Sequence, residues 1–347
     1  MQNQSPRTPR MWGASLHQAH GENRGGDPAR IPTPERRRMA VWISANTRSS
    51  PRFAASNHPA PRTHSHHVFP FLLAQWWWLG KMHNMGRLFN HITSLALRPE
   101  VAAGYKSASK KVGKMTETWL GEQVVCPSCG RRLRHYEPNR PVADFLCPEC
   151  RLDFELKSRK DSIAGSVPDG AYRTMIERIT SDTAPSFFFL QYDAEYMVRN
   201  LFVTPAHYFT PEIIAERAPL KPTARRAGWV GCNILTKAIP ASGRIYYVRD
   251  GQVRPTEDVC EQYHHTAFLS GRNLEQRGWL IDVMTCVERL RKPEFTLQEM
   301  YAFESHLAQL HPDNHNIRPK IRQQLQFLRD AGYLTFPSRG CYKLTHY

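Results

Sequence analysis

Cysteine is absent from the first 125 residues of this 347-residue chain, and all eight cysteines occur from Cys126 onward. Four of them form two Cys-x-x-Cys pairs. The chain does not open with the basic and then apolar pattern of a secretory signal peptide. Paired cysteines in a cytoplasmic chain indicate a metal site, whereas a secreted chain would use the same number for disulfides. We therefore expect a cytoplasmic protein that binds a metal ion through its paired cysteines.

Long apolar runs are also lacking. The run VFPFLLAQWWWLG at residues 68–80 has 13 residues, whereas a bilayer-spanning helix needs about 20. We therefore expect no membrane association. This run lies within residues 1–85, which are rich in Arg, Pro, His and Ser and have little periodicity. Such a composition buries too little apolar surface to fold, so we interpret residues 1–85 as a disordered leader or a misassigned start, with Met82 or Met85 as the true first residue.

Acidic residues are few relative to basic ones. The chain has 47 Lys and Arg against 31 Asp and Glu, a net charge of +16. Residues 1–85 contain 11 of these basic residues and 3 of the acidic ones, so half of the excess lies in the proposed leader. The remaining chain is moderately basic, which favours a polyanionic partner such as nucleic acid.

Residues 86–272 mix helical and strand periodicity, which predicts one α/β domain. The predicted helices cover residues 88–97, 107–124 and 169–180, and Asp169 lies near the start of the last one. The predicted strands cover residues 186–193, 197–205 and 244–251.

Residues 273–347 follow a different plan. Three predicted helices are followed by two short strands around the turn PSRG, and Thr296 with Glu299 forms a capping-box pattern at the second helix. This order is typical of a winged helix, with the third helix as recognition helix and the turn as wing. The helices cover residues 279–290, 296–310 and 316–332, and the strands cover residues 333–336 and 341–344.

The paired cysteines have the spacing of a metal site. Each pair reads Cys-Pro-x-Cys, and 17 residues separate the two pairs. Two such knuckles supply four sulfur ligands in the tetrahedral set that suits Zn²⁺, and a closed set of this kind is structural because no position is left for substrate. An iron–sulfur cluster and a redox dithiol are the alternatives. The ligands are Cys126, Cys129, Cys147 and Cys150.

Asp144, Glu155 and Lys157 fit the pattern D-x10-E-x-K. The segments VADF and DFELKS are predicted to be neighbouring strands, in which Glu155 and Lys157 share one face. The two carboxylates and the Leu156 carbonyl would offer oxygen ligands for Mg²⁺. Lys157 would orient or help to deprotonate the attacking water and stabilise charge on a phosphate. The alternative is a solvated strand face with a salt bridge.

Long runs of the chain resemble the DpnI-type methyl-directed restriction endonucleases. The resemblance extends from about Leu88 to Leu344 and includes the runs RPVADF, FELKS, DGAY, LKPTARRAGWVGCN, GRIYYVRDGQVR, FTLQEMYAFES and KIRQQLQFLRD. Residues 1–85 have no counterpart in it. The proline that precedes the first acid in the family pattern is displaced here, to Pro141.

The resemblance implies a PD-(D/E)XK restriction-endonuclease-like domain with a zinc site of four cysteines, followed by a winged-helix domain. It also implies type II, Mg²⁺-dependent cleavage of double-stranded DNA at 5′-GATC-3′ when the adenine is N6-methylated. The catalytic residues would be Asp144, Glu155 and Lys157, and the zinc ligands would be the four paired cysteines.

The loop at residues 222–231 is the candidate reader of the methyl group in the nuclease domain. Trp229 offers a flat apolar wall, and Arg225 and Arg226 could contact phosphate or guanine. The alternative is a core tryptophan beside two surface arginines. A buried methyl group contributes only about 0.8 kcal/mol, so strong discrimination would need two methyl groups or two domains.

The third helix of the winged domain has an apolar and a polar side. Ile317, Ile321, Leu325 and Leu328 form the apolar stripe. The polar side suits base edges, since Arg pairs well with guanine and Asn or Gln with adenine, although a solvated face is the alternative for each residue. The candidates are Asn316, Arg318, Arg322, Gln323 and Gln326, with Arg339 on the wing for phosphate.

Two other functions remain open at this stage. One is a DNA-binding regulator with a zinc ribbon and winged helix that does not cleave, and the other is a nuclease with a different target sequence. We expect the protein to be a monomer with no obligate protein partner.

Overall fold

The structure is a computed structural model that describes residues 92–136, 143–160, 162–181 and 183–345. The interpretation of residues 1–85 and the displaced Pro141 therefore lie outside the described residues. Within the described part of the chain, no helix is long and apolar enough to cross a membrane.

A mixed seven-stranded sheet is the centre of the N-terminal domain, with strand order β1-β2-β3-β5-β6-β9-β10. Strands β3 and β5 are parallel, and every other neighbouring pair is antiparallel. The strands are β1 Arg134–His135, β2 Phe145–Leu146, β3 Asp153–Arg159, β5 Ser186–Tyr192, β6 Val198–Thr204, β9 Ile245–Arg249 and β10 Gln252–Val253.

A second sheet of three strands, in the order β4-β8-β7, is antiparallel throughout. Its strands are β4 Val167–Ala171, β7 Ile214–Glu216 and β8 Gly231–Ile234, and the helices of this domain are α1 Ala108–Gln123, α2 Tyr172–Ile179 and α3 Thr256–His265. Short 3-10 helices occur at Pro99–Ala102, Ala206–Tyr208, Pro211–Ile213, Thr236–Ala238, Ala241–Gly243 and Ala267–Leu269.

Strand β5 explains how these layers fit together. Its residues Phe187 to Leu190 are fully buried, as expected for a strand whose two faces are both covered. Phe188 and Leu190 pack in the core with α1, whereas Phe187 and Phe189 pack in the core shared with β4, β8 and α2. Strand β3, which lies next to β5, is therefore also placed between α1 and the small sheet.

The C-terminal domain contains four helices and a three-stranded sheet in the order β11-β13-β12. The apolar stripe predicted for its last helix is buried, with Ile321, Leu325 and Leu328 fully enclosed. The capping box at Thr296 is present. The elements are α4 Leu274–Arg289, β11 Glu294–Thr296, α5 Leu297–Tyr301, α6 Glu304–Leu310, α7 Ile317–Asp330, β12 Leu334–Ser338 and β13 Cys341–Leu344.

Three predicted elements differ in the structure. The predicted helix at residues 88–97 is extended over its described part, 92–97. Leu97 N–H donates to the Tyr196 carbonyl just before β6, and the Leu95 carbonyl accepts from the Val198 N–H at the first residue of β6. Asp169 lies on β4 and not at a helix start, since β4 pairs with β8 before α2 begins at Tyr172. The helix predicted at residues 296–310 is interrupted after Tyr301. There, the N–H groups of Ala302 and Phe303 donate to the carbonyls three residues earlier, those of Glu299 and Met300, and form a turn.

Candidate active site

The four paired cysteines come together in the structure. Their sulfur atoms all lie within 4.8 Å of one another, and Cys129 Sγ is 3.5 Å from Cys147 Sγ. Four sulfurs at about 2.3 Å from one tetrahedral Zn²⁺ would be about 3.8 Å apart, so the cluster could bind zinc. A disulfide is not formed, since all four cysteines are free.

The two cysteine turns have the same local geometry. Gly130 N–H donates to the Cys126 carbonyl and Arg151 N–H to the Cys147 carbonyl, both at 2.9 Å. Gly130 and Arg151 both have positive φ, 69° and 59°, a conformation that favours glycine and is uncommon for arginine. The repeated turn directs each pair of sulfurs to the same point.

The thiols in this cluster influence one another strongly. Hydrogen bonds with the other three cysteines raise the pKa of Cys126 well above its usual range. Hydrogen bonds from Cys126 and Cys129 lower the pKa of Cys147 far below its usual range. Four thiolates this close together would repel one another, and a bound dication removes that repulsion.

Asp144 immediately precedes β2 and lies at the edge of β3. Its N–H donates to the Phe154 carbonyl at 3.0 Å, and its Oδ2 accepts a hydrogen bond from Leu156 N–H at 2.7 Å. The N–H and carbonyl groups of one residue in a strand point to the same side. The Leu156 carbonyl therefore points to the side of β3 on which the Asp144 carboxylate lies.

Glu155 and Lys157 lie on one face of β3. Phe154 and Leu156 pack in the core with α1, so the alternate residues Glu155 and Lys157 face the small sheet and α2. The Lys157 ammonium contacts Glu155 Oε1 directly. The structure thus brings Glu155 next to Lys157, and it brings Asp144 to the Leu156 amide between them.

Two further charged residues complete this cluster, and the sequence pattern did not identify either of them. Asp169 on β4 contacts the Lys157 ammonium through Oδ1. Arg178 in the last turn of α2 donates from Nη1 to Glu155 Oε2 at 3.0 Å. The run DGAY, which contains Asp169, carried the family resemblance, but no spacing rule linked it to Lys157.

The charged cluster is mostly enclosed. The side chains of Asp169, Lys157, Glu155 and Arg178 are 11%, 14%, 17% and 20% exposed, so this strand face is largely shielded from solvent. Burial raises the pKa of Glu155, although the charge of Lys157 opposes this. Burial alone would lower the pKa of Lys157, but the carboxylates of Glu155 and Asp169 outweigh it and raise the pKa. This raised pKa favours the ammonium form of Lys157 in this arrangement.

A cleft lies along α1 and the residues just before it. Its volume is about 310 Å³, and Lys110 and Lys114 line it together with Glu117. Burial raises the pKa of Glu117, and the nearby charge of Asp144 adds to the effect. The two lysines give this cleft the charge that a phosphate backbone requires.

The candidate loop for methyl reading is a surface feature. Trp229 is half-buried and belongs to none of the three apolar cores, unlike Trp119 and Trp279. The Arg226 guanidinium lies 4.4 Å from the centre of its ring, and Arg225 and Arg226 are exposed. On the other side, a Cβ at Gly231 would be 2.8 Å from the ring, so the indole rests on the backbone of Gly231. Trp229 therefore lies outside these three cores, which favours a surface role over that of a core tryptophan.

The polar side of α7 is exposed. Arg318 donates to Glu304 Oε2 at 2.7 Å and lies over the Tyr301 ring, so it already has partners within the domain. Arg339 lies at the wing turn, next to Gly340 with φ of 76°. The candidate residues Asn316, Arg318, Arg322, Gln323, Gln326 and Arg339 are all exposed.

Together, the fold and these sites define a mixed α/β domain with a four-cysteine cluster, followed by a helical, winged domain of the DNA-binding helix-turn-helix class. This confirms the predicted fold class. A model described as DpnI, the Dam-replacing family, matches residues 93–272, and a second model, described as the Dam-replacing HTH domain, matches residues 275–344. The chain belongs to the Dam-replacing family, as its resemblance to the DpnI-type enzymes predicts.

Proposed function

We propose that the protein is a type II methyl-directed restriction endonuclease that hydrolyses double-stranded DNA at 5′-GATC-3′ when the adenine carries an N6-methyl group. The arrangement around β3 is the observation that supports this most directly. Asp144 lies at one edge of the strand, where its carboxylate accepts a hydrogen bond from the Leu156 N–H, and Glu155 and Lys157 follow on the adjoining face. These are the two carboxylates and the lysine that the proposed nuclease site would use.

The candidate metal ligands are Asp144, Glu155 and the Leu156 carbonyl. Hard oxygen donors of this kind suit Mg²⁺, which when bound lowers the pKa of a water ligand and neutralises charge on the phosphate. Lys157, held as an ammonium ion, would stabilise the negative charge that develops on the phosphate. This role differs from the proton abstraction also considered from the sequence.

The four-cysteine cluster would hold Zn²⁺ as a structural ion. Cys147 and Cys150 lie between β2 and β3, so the ion would fix the connection between Asp144 and Glu155. The Cys126 turn also rests on α3, because the Ser128 carbonyl lies 2.6 Å from His264 Nε2. Zinc held by these four cysteines would support the strands that carry Asp144, Glu155 and Lys157 without itself taking part in the reaction.

DNA would be read by two surfaces. The helix-turn-helix domain binds DNA, and the exposed residues of α7 with Arg339 would contact bases and phosphates. In the nuclease domain, Trp229 would provide the apolar wall for the adenine methyl, with Arg225 and Arg226 at phosphate or guanine.

The test uses one plasmid prepared with and without adenine methylation at GATC, and the full chain with Mg²⁺. Cleavage of the methylated plasmid alone supports the proposal. Asp144→Ala should bind methylated DNA without cutting it, and cleavage at the wild-type rate would show that the assigned site is wrong. Cleavage of both plasmids indicates a nuclease with another target, and binding without cleavage in any divalent metal indicates a non-cleaving regulator.

A further inference from the structure

Four side chains at the candidate active site form a chain of alternating charges. Asp169 contacts Lys157, Lys157 contacts Glu155, and Glu155 contacts Arg178. The two outer members come from the connection between β3 and β5, not from the strands of the nuclease pattern. Lys157 is thus shared by two carboxylates, and Glu155 by two cations.

This sharing matters for metal binding, which our proposed function assigns to Glu155. Both carboxylate oxygens of Glu155 are occupied in the structure, Oε1 by Lys157 and Oε2 by Arg178. An ionised carboxylate has about four acceptor sites, so a divalent cation can still bind it, but each cationic partner that stays competes for its lone pairs and repels the metal ion. Lys157 has a second acceptor within contact, Asp169, so it can withdraw from Glu155 and still keep an ion pair.

Asp169 is held firmly enough to act as that acceptor. It lies on β4, where it is paired with Cys232 of β8, and its Oδ1 also accepts a hydrogen bond from Gly170 N–H at 2.7 Å. Its side chain is 11% exposed. A buried ion pair adds little net stability because its desolvation costs about as much as its attraction returns, so folding alone gives little reason for a second carboxylate at Lys157.

We propose that Asp169 is a positioning residue for the cleavage reaction: its carboxylate draws the Lys157 ammonium away from Glu155 Oε1, so that this oxygen can bind the divalent cation. Asp169 itself touches neither the metal nor the DNA. Without its charge, Lys157 would pair with Glu155 alone and compete with the metal for the same oxygen.

The test measures Mn²⁺ binding to the full-length, zinc-loaded protein without DNA, by the electron paramagnetic resonance signal of free Mn²⁺. Asp169→Asn should weaken Mn²⁺ binding about tenfold to a hundredfold, the range typical for an outer partner of a metal ligand. Glu155→Gln identifies the site, since it should remove this binding. Circular dichroism melting checks that each variant is folded.

A double variant distinguishes positioning from a structural role. Lys157→Met removes the competing ammonium, so Asp169→Asn combined with Lys157→Met should regain the Mn²⁺ affinity of Lys157→Met alone. A structural defect, or a direct metal bond from Asp169, would leave the double variant weak.

Asp193→Asn is the matched control, because Asp193 is another mostly enclosed aspartate in an ion pair, with Arg199 at 2.8 Å, at the β5–β6 turn. It should bind Mn²⁺ as the wild type does.

Several results would overturn the inference: unchanged Mn²⁺ binding in Asp169→Asn, no recovery in the double variant, or a wild type whose Mn²⁺ binding does not depend on Glu155. The plasmid assay distinguishes a failure of the proposed role of Asp169 from a failure of the proposed function. A wild type that cleaves only methylated DNA, together with unaffected Mn²⁺ binding in Asp169→Asn, removes the role of Asp169 and leaves the nuclease intact. A wild type that never cleaves removes the proposed function, whatever Mn²⁺ does.

Discussion

Polar side chains occur in two contrasting environments in this protein. At the candidate active site, Asp169, Lys157, Glu155 and Arg178 are only 11–20% exposed and are paired with one another. On the outer side of α7 and at the wing, the candidate DNA-reading residues are exposed to solvent. The first group comes from three separate elements, β3, β4 and α2, whereas most of the second comes from one helix.

This difference has an energetic consequence. A buried charge that loses its partner is costly, by about 3–5 kcal/mol, so each member of the active-site cluster depends on the others and on the scaffold. An exposed side chain keeps its water when a neighbour is removed. Substitutions should therefore be coupled in the first region and independent in the second.

Loss of the metal at the cysteine cluster should have the largest effect and should fall on the enclosed region. Structural zinc contributes about 10–16 kcal/mol in small zinc domains. We expect Cys129→Ser, or removal of zinc by a chelator, to abolish cleavage by unfolding the β2–β3 hairpin. Metal content by mass spectrometry, circular dichroism and plasmid cleavage measure this together.

The control for that experiment is Cys341→Ser, which changes a similarly half-buried cysteine outside the cluster. It should keep its zinc and its activity. Full Mg²⁺-dependent cleavage by a folded, zinc-free protein would contradict the structural role of the ion.

Glu155→Gln should separate chemistry from folding. The change keeps the shape of the side chain but removes the charge that the metal and Lys157 require, so cleavage should fall about a thousandfold. Binding of methylated DNA should stay within a few-fold of wild type. Single-turnover cleavage and a binding titration give the two values.

Glu304→Gln is the matched substitution in the exposed region, since Glu304 pairs with Arg318 at 39% and 56% side-chain exposure. Its cleavage rate should change little. If both glutamates gave the same modest loss, the assignment of Glu155 to the reaction would be wrong.

Two double-mutant cycles test whether substitutions are coupled in the enclosed active-site cluster and independent in the exposed DNA-reading surface. For thermal stability, Asp169→Asn and Lys157→Met should couple by about 0.5–3 kcal/mol, because the two side chains are in contact. For DNA affinity, Arg322→Ala and Arg339→Ala should be additive within about 0.5 kcal/mol, because each would contact DNA separately. Strong coupling of the two arginines would indicate one shared contact.

The same contrast explains what the sequence could predict. Cysteine spacing and strand alternation depend on neighbouring residues, so the four sulfur positions and the common face of Glu155 and Lys157 followed from local rules. Asp169 and Arg178 reach the site only because β4 pairs with β8 and α2 packs against β7 and β8. Those pairings connect residues far apart in the chain, and no local pattern encodes them.

Two secondary-structure predictions were wrong for the same reason. Residues 92–97 have helical periodicity, but hydrogen bonds to the start of β6 make them extended. Asp169 resembles a helix-capping residue, but the register of β4 with β8 assigns it to a strand. In both places a tertiary partner outweighed the weaker local preference. The exposed side of α7 was predictable because its apolar stripe is a local feature of one helix.

Trp229 is intermediate in exposure between the enclosed active-site cluster and the exposed side of α7. Its replacement should have the smallest effect of the substitutions at candidate site residues. The ring is half-buried against Gly231 and Arg226, so it offers one apolar surface to a methyl group. Loss of one buried methyl contact is worth about 0.8 kcal/mol, which corresponds to about a fourfold change in affinity. In the Asp144→Ala background, Trp229→Ala should therefore reduce the preference for methylated over unmethylated GATC about fourfold, measured by binding titrations with both DNAs. Trp229→Phe keeps a flat apolar ring and should retain more of the preference. A loss of a hundredfold or more would mean that Trp229 does not act as one independent contact and that its loop, like the active site, is a coupled structure.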